Sequence, residues 1–246
     1  AYSAYYDLLY QDKDYQGEAR YVIDRLTNAL GRKPAAILEL GCGTGHHAEY
    51  FVADEIAITG VDQSASMIDQ ARNRLPQSHF IQGDVRTVKV NQVFDSVISL
   101  FHVASYQTQN ADISAYLKTA ADHLPSGGVF LFDFWYGPAV YAQKPMVRVK
   151  RMQNQSVMIL RTAEPVHRHN DCTVEVNYEV WVQNKHTNVA ERIQESHLMR
   201  YYFLPELTGL LGRAGFDESG ICFEEWLTGC EPGENTWGVT AIARKL

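Results

Sequence analysis

The sequence contains no apolar stretch approaching the roughly 20 residues that a membrane-spanning helix needs, and Ala1-Tyr2-Ser3-Ala4-Tyr5-Tyr6-Asp7 does not read as a secretory leader. A cytoplasmic chain with no membrane partner is the expectation. Runs of basic residues are also missing: 22 Lys and Arg stand against 29 Asp and Glu, a net charge of −7, which speaks against a phosphate-tracking nucleic-acid surface. Cysteine is scarce. Cys42, Cys172, Cys222 and Cys230 form no C-x-x-C pair and no disulfide framework, so reduced thiols are expected. His167, His169 and Cys172 lie close together, but their spacing fits no zinc pattern and no metal is expected. No internal repeat or low-complexity segment interrupts the chain.

What is present begins with a glycine loop. Glu39-Leu40-Gly41-Cys42-Gly43-Thr44-Gly45 follows the apolar run Ala35-Ala36-Ile37-Leu38 and precedes a second run that ends in an acid, Ile58-Thr59-Gly60-Val61-Asp62. An apolar run, a glycine turn, a helix and an acid-tipped strand make a nucleoside-binding crevice, in which bare backbone approaches one end of the ligand and a carboxylate meets its ribose. The dinucleotide pattern G-x-G-x-x-G would put a third glycine where His46 stands, which argues against a pyrophosphate lying on the helix N-terminus.

The pattern E-x-G-x-G-x-G resembles the first motif of the class I S-adenosylmethionine-dependent methyltransferases. The resemblance implies that Gly41, Gly43 and Gly45 curl around the methionyl part of S-adenosylmethionine, that Asp62 accepts both ribose hydroxyls, and that Gly83-Asp84-Val85 meets the adenine. Met67 either lies against the adenine face or is a core methionine. Tyr15, Glu39, Cys42, Gln63, Leu100 and Phe101 complete the cofactor-binding set that the resemblance implies. Asp95 opens the fourth strand and is expected to be structural.

Strands expected at 36–40, 56–61, 78–82, 94–100 and 129–135 alternate with helices at 46–53, 65–75 and 111–124, which means crossover units and a parallel sheet. An amphipathic helix over 17–30 precedes the sheet and is expected over the cofactor. After Gly137-Pro138 the rhythm changes. Long, partly alternating runs between 147 and 203, separated by turn residues, read as an antiparallel insertion of about four strands. A helix over 205–214 and strands at 220–226 and 236–243 close the chain. The expected fold is therefore α/β: a Rossmann-like, seven-stranded, mostly parallel sheet with a four-stranded antiparallel insertion. A methyltransferase core at 1–136 and 204–246 would carry a substrate-binding insertion at 137–203.

Substrate must be argued from what is added to such a core. The segment Tyr5-Tyr6-Asp7-Leu8-Leu9-Tyr10 followed by Lys13-Asp14-Tyr15 and Glu18-Ala19, together with Phe101-His102-Val103-Ala104-Ser105-Tyr106 and the insertion, resembles the nucleotide-linked aminosugar N-methyltransferases. Two departures are visible: no glycine- and arginine-rich spacer precedes Lys13, and Tyr106 stands where a histidine is expected in the macrolide-sugar enzymes. The resemblance implies N-methylation of a nucleotide-activated, dTDP-linked amino deoxysugar; a small amine or a hydroxyl as acceptor, or cofactor binding without catalysis, are the alternatives. Because a neutral amine attacks an activated methyl group if held in line, positioning and removal of the amine's proton are the tasks left to the protein. Tyr6, His102 and Tyr106 are the catalytic candidates: Tyr6 over the methyl group or capping the N-terminal helix, His102 as proton acceptor or wall, Tyr106 as acceptor for the amine. Trp135 and Tyr136 are candidates to face the substrate, or to pack in the core. For the diphosphate, Arg148, Lys150, Arg151, Arg161, Arg168 and Arg200 lie in or near the insertion, with Arg200 preferred. The oligomeric state stays open at this point; the resemblance allows a homodimer through the antiparallel insertion.

Overall fold

The computed structural model describes residues 6–246, with side chains from Leu8 onward. In chain order its elements are α1 (Tyr6–Leu9), α2 (Tyr15–Leu30), β1 (Ala36–Leu40), α3 (His46–Ala53), β2 (Ala57–Asp62), α4 (Ala65–Arg74), β3 (His79–Gln82), β4 (Ser96–Ser99), α5 (Asn110–Asp122), β5 (Val129–Tyr136), α6 (Gly137–Gln143), β6 (Arg148–Gln153), β7 (Val157–Arg168), β8 (Thr173–Asn184), β9 (Ala190–Tyr202), α7 (Leu204–Ala214), β10 (Cys222–Glu225) and β11 (Gly238–Arg244). The parallel order is β3-β2-β1-β4-β5, and β11 runs antiparallel beside β5 with β10 outside it. This is the expected seven-stranded core.

Alternation along the strands sorts residues between two apolar layers. Leu38, Leu40, Phe130, Phe132 and Phe134 face α5 and α7, where Tyr116, Leu117, Leu207 and Leu211 are buried. Ile37, Ile98 and Leu131 face the other way, against Val22, Leu26 and Phe51 of α2 and α3. By the same period of two, Glu39, Asp133 and Trp135 share the α2 side of the sheet. That side carries the cavity.

The strands β6 to β9 form an antiparallel meander. They do not stand apart, because β9 joins β5 through the parallel pairs Trp135 with Tyr201 and Tyr136 with Tyr202, making one continuous eleven-stranded sheet. Leu9 is fully buried against Met152, Ile159, Val180, Val182 and Ile193, so the N-terminal segment is pinned to the meander.

Two local expectations are corrected. α2 starts at Tyr15 rather than 17, because the Asp14 side chain caps it by accepting the Gly17 N–H at 2.9 Å. Most of it packs on the sheet beside α3, and its first residue, Tyr15, borders the ligand space with Tyr10 and Lys13 of the preceding segment. At Gly137-Pro138, where the sequence reads as a break, α6 begins: proline suits the first helical turn. Glycine is required there because a Cβ at 137 would sit 2.5 Å from the Phe203 ring. Among the described residues no helix is long and apolar enough to cross a membrane, and all four cysteines are free thiols.

Candidate functional site

At the carboxyl ends of the parallel strands a cavity of about 740 Å³ opens between the glycine loop, the N-terminal segment and the meander. Its loop wall depends on three positive φ angles: Gly41 (84°), Gly43 (54°) and Gly45 (76°). Gly41 and Gly43 line the cavity with Cys42, whereas Gly45 turns away to pack on Ala71 of α4, where a Cβ would lie 3.2 Å from the alanine methyl.

Asp62, at the tip of β2, anchors the loop. Its two oxygens accept from the Gly43 and Ser64 backbone N–H groups at 3.0 and 2.9 Å, and burial still raises its pKa above the ordinary carboxylate value. Gln63 and Met67 line the same wall. Asp84 and Val85 lie opposite, but Gly83 does not line the cavity; its place is against Val61 and Val88. Asp84 is held by Arg86, which donates to both carboxylate oxygens and to Asp112, and this pairing keeps the Asp84 pKa low. Sequence reasoning missed Arg86, although its place two residues after the motif acid was available as a signal.

The N-terminal motif is explained by contacts. Lys13 pairs with Glu18, and the Glu18 carboxylate accepts from His47 Nε2 at 2.6 Å; Tyr15 stacks on His46 at 4.6 Å and meets the His47 ring edge-on at 5.0 Å. Beneath this wall Glu39 is 1% exposed, with Oε1 3.8 Å from His47 Nδ1 and Oε2 without a hydrogen-bond partner. Burial first, then the neighbouring Asp62 charge, pushes its pKa up to about 8. Glu39 therefore lies beneath the cavity rather than in its lining.

Leu100 and Phe101 end β4 at the cavity, where the chain turns sharply: Phe101 and His102 both have positive φ, at 67° and 64°. Such strain in non-glycine residues persists only when the surroundings impose it, and here Asp133 does. Its carboxylate accepts the His102 N–H at 2.8 Å and meets His102 Nδ1 at 2.8 Å, which holds Asp133 ionised despite complete burial. Asp133 was not legible, being enclosed in the apolar run Val129-Phe130-Leu131-Phe132-Asp133-Phe134-Trp135-Tyr136 that reads as a plain buried strand.

On the far wall, Tyr106 Oη is hydrogen-bonded to His197 Nδ1 at 2.7 Å, and Tyr178, Glu195, His197 and Met199 of the meander line the cavity beside it. Trp135 joins them, edge-on to His102 at 6.3 Å. Tyr136, one residue on, points to the opposite face and packs in the core. Arg200 does not reach the cavity either. It is 9% exposed and bonded to Thr108, Asn110 and Glu206, with its guanidinium over Tyr202, so it ties β9 to α7. Of the other cations, Arg168 pairs with Glu175; Lys150 donates to the Leu9 carbonyl at 2.6 Å and pairs with Asp12 at 3.4 Å, and Arg161 donates to the Tyr10 hydroxyl at 3.3 Å, beside the cavity mouth. The Tyr6 side chain lies outside the described residues. No group of three or more His, Cys, Asp or Glu suited to a metal ion occurs among the described residues.

With this geometry in place, residues 37–128 match the family model described as a methyltransferase domain. A dTDP-3-amino-3,4,6-trideoxy-alpha-D-glucopyranose N,N-dimethyltransferase of Streptomyces venezuelae is 28% identical over 212 residues, 85% of this chain and 87% of that protein. This chain carries an S-adenosylmethionine-dependent methyltransferase domain. Two solved structures share the methyltransferase's fold. DesVI of Streptomyces venezuelae superposes with a TM-score of 0.84 at 23% identity, covering 100% of this chain and 99% of that one. CalS10 of Micromonospora echinaspora, an amino pentose methyltransferase solved with S-adenosylmethionine bound, gives 0.78 at 24% identity over 99% and 96%.

The cavity of the methyltransferase fits that cofactor chemically. A backbone-only approach at Gly43, where a Cβ would meet no atom within 4 Å, two carboxylates at Asp62 and Asp84, and an unpartnered buried carboxyl oxygen at Glu39 suit a ligand with a diol, an amino-purine and an ammonium group. The Glu39 shift has a consequence for the ligand-free protein. A carboxyl whose pKa is raised on folding makes the fold bind more protons than the unfolded chain, so stability falls as pH rises from the unfolded value toward about 8. Glu39→Gln removes this loss. Its Tm is expected to gain on that of the parent by roughly 10 °C between pH 5 and pH 8.5, measured by thermal unfolding. A difference between the two that stays constant across that range contradicts a neutral buried Glu39.

Proposed function

We propose that this methyltransferase N-methylates the amino group of a nucleotide-activated, dTDP-linked amino deoxysugar. The observation that carries the reading is the continuity of the cavity: it runs from the glycine loop to a wall of Tyr106, Trp135, Tyr178 and His197, three of them aromatic faces suited to a sugar ring and a cationic centre. The Streptomyces venezuelae relative named for such a substrate aligns along most of the chain, meander included.

In this reading Gly41, Cys42 and Gly43 receive the methionyl group, Asp62 holds the ribose diol with Gln63 beside it, Asp84, Val85 and Met67 enclose the adenine, and Tyr15, Leu100 and Phe101 close the site. When bound, S-adenosylmethionine supplies a sulfonium methyl group already activated for in-line attack. Holding the amine near 3 to 3.5 Å from that carbon is then the main task of the walls. His102, fixed by Asp133, borders the reacting region, and Tyr106 accepts from the amine. Lys150 and Arg161, gathered around Tyr10, replace Arg200 as the cations suited to the diphosphate. Residues 148–202 serve as the substrate-binding part. A second copy could extend the β6 edge, where Val147 and Val149 are exposed, and light scattering would read this homodimer. A cytoplasmic setting is in keeping with four unpaired thiols.

Mass spectrometry after incubation with the cofactor and a panel of dTDP-3-amino and dTDP-4-amino deoxysugars is expected to show gains of one and two methyl groups. Thymidine diphosphate alone is expected to raise Tm, since it binds only the folded state. Methyl transfer to simple amines or hydroxyls, with none to the sugar panel and no stabilisation by the nucleotide, would defeat the proposal.

A further inference from the structure

Across the cavity from the cofactor wall, three polar side chains from two elements line up. Tyr106 closes the short 3-10 turn Val103–Tyr106, while His197 and Glu195 stand on the same face of β9. Tyr106 Oη lies 2.7 Å from His197 Nδ1, and His197 Nε2 lies 3.3 Å from Glu195 Oε2. Tyr178, directly across from Glu195 in β8, buttresses the imidazole edge-on at 5.1 Å, and the Arg161 guanidinium lies 5.2 Å from the Tyr178 ring centre. These tyrosines, the carboxylate and the guanidinium are titratable and charged groups that the described residues bring to the imidazole. All but Arg161 line the cavity itself.

Resting on the reading of an amine acceptor, we infer that Tyr106, His197 and Glu195 form a relay that takes the proton from the substrate amine. A lone tyrosine is a poor acceptor, because its phenol stays protonated throughout the neutral range. Coupled to an imidazole it becomes an adequate one. The ammonium form of the substrate donates its N–H to Tyr106 Oη as the Tyr106 proton passes to His197 Nδ1, and the resulting imidazolium pairs with the Glu195 carboxylate. The freed nitrogen lone pair forms the bond to the donor's methyl carbon while the carbon–sulfur bond breaks and its electron pair stays on sulfur. The product is again an ammonium ion. Loss of its proton along the same path is what permits a second methyl group on one nitrogen, with the imidazolium returning to neutrality through Glu195 and solvent. The relay needs the tautomer with its hydrogen on Nε2, the one that a carboxylate beside Nε2 favours. Tyr106 is the catalytic residue here, and His197 and Glu195 act through it.

The relay needs the His197 ring nitrogen to receive the proton, so the acid side of the pH profile should depend on that residue. In His197→Gln that limb is expected to move upward to the titration of the substrate amine itself. Turnover near pH 7 should fall by about ten- to a hundredfold, within the range of general-base effects, and should be recovered at pH 9.5. Calorimetry with S-adenosylhomocysteine should give an unchanged Kd, separating the effect from damage to the cofactor wall. Glu195→Gln should give a smaller shift in the same direction, and Tyr106→Phe should lose turnover without recovery at high pH. An active His197→Gln with the parental pH profile overturns the relay and leaves the proposed function standing, as does a limb that moves with His102→Gln instead. A parent protein that methylates no amine overturns both.

Discussion

Replacing Asp62 by alanine is expected to weaken binding of S-adenosylmethionine by on the order of a hundredfold, about 3 kcal/mol, while leaving the fold intact. Two losses combine. Hydrogen bonds from a ligand's hydroxyls to a carboxylate contribute about 1.5 to 3 kcal/mol, and the same carboxylate sets the loop by accepting from Gly43 and Ser64. Asp62→Asn separates these parts, since an amide oxygen still accepts one backbone N–H but brings no charge, and about a tenfold loss is expected. Burial raises the Asp62 pKa, so the carboxylate is lost on acidification at a higher pH than an ordinary aspartate would be. Affinity in the parent protein should decline accordingly as pH falls, and the decline should be weaker in Asp62→Asn. Calorimetric titration measures all three. An unchanged Kd in Asp62→Ala would remove the basis for placing the ribose at β2.

The second large effect concerns two glycines of one loop that respond in opposite ways. At Gly41 φ is 84° and a Cβ would lie 2.5 Å from Val103 Cγ2, so alanine adds both backbone strain and a collision with the turn that carries Tyr106. Left-handed strain of about 1 to 2 kcal/mol and overpacking of about 1 to 3 kcal/mol make Gly41→Ala destabilising by roughly 2 to 5 kcal/mol. At Gly43 φ is 54° and a Cβ would meet nothing within 4 Å. Gly43→Ala should therefore cost about 1 to 2 kcal/mol of stability from strain alone, yet its methyl group takes space at the cavity wall and should weaken the cofactor at least tenfold. Urea unfolding and calorimetry on the two variants distinguish them. Equal stability losses would mean that the loop has a different shape from the one described.

The sequence makes the cofactor half of this molecule legible because its signals are local. A glycine loop, an acid at a strand tip and the strand-helix rhythm each depend on residues a few positions apart, and the seven core strands fall close to where alternation and turn residues put them. The acceptor half depends on register. That His197 meets Tyr106, 91 positions earlier in the chain, follows from how β9 hangs beside β5, which no periodicity encodes. The place of Arg200 at the end of the meander points to a diphosphate ligand, but Glu206 and Asn110 claim its guanidinium. Trp135 and Tyr136 looked equivalent as a pair; the pleat sends only the first into the cavity. Asp95 illustrates the reverse case, a conspicuous acid that binds the Ala35 and Ala36 amides and Arg32, distant from the chemistry.

The meander pairs with the parallel sheet at 135–201 and 136–202, and its Tyr178, Glu195, His197 and Met199 stand on the far wall beside Tyr106 and Trp135. Under the proposed function, much of the acceptor wall resides in one contiguous stretch of the polypeptide, apart in sequence from the glycine loop. In that reading, exchanging residues 148–202 for the corresponding hairpins of a related enzyme is expected to change the alkylation target while the Kd for S-adenosylhomocysteine is kept.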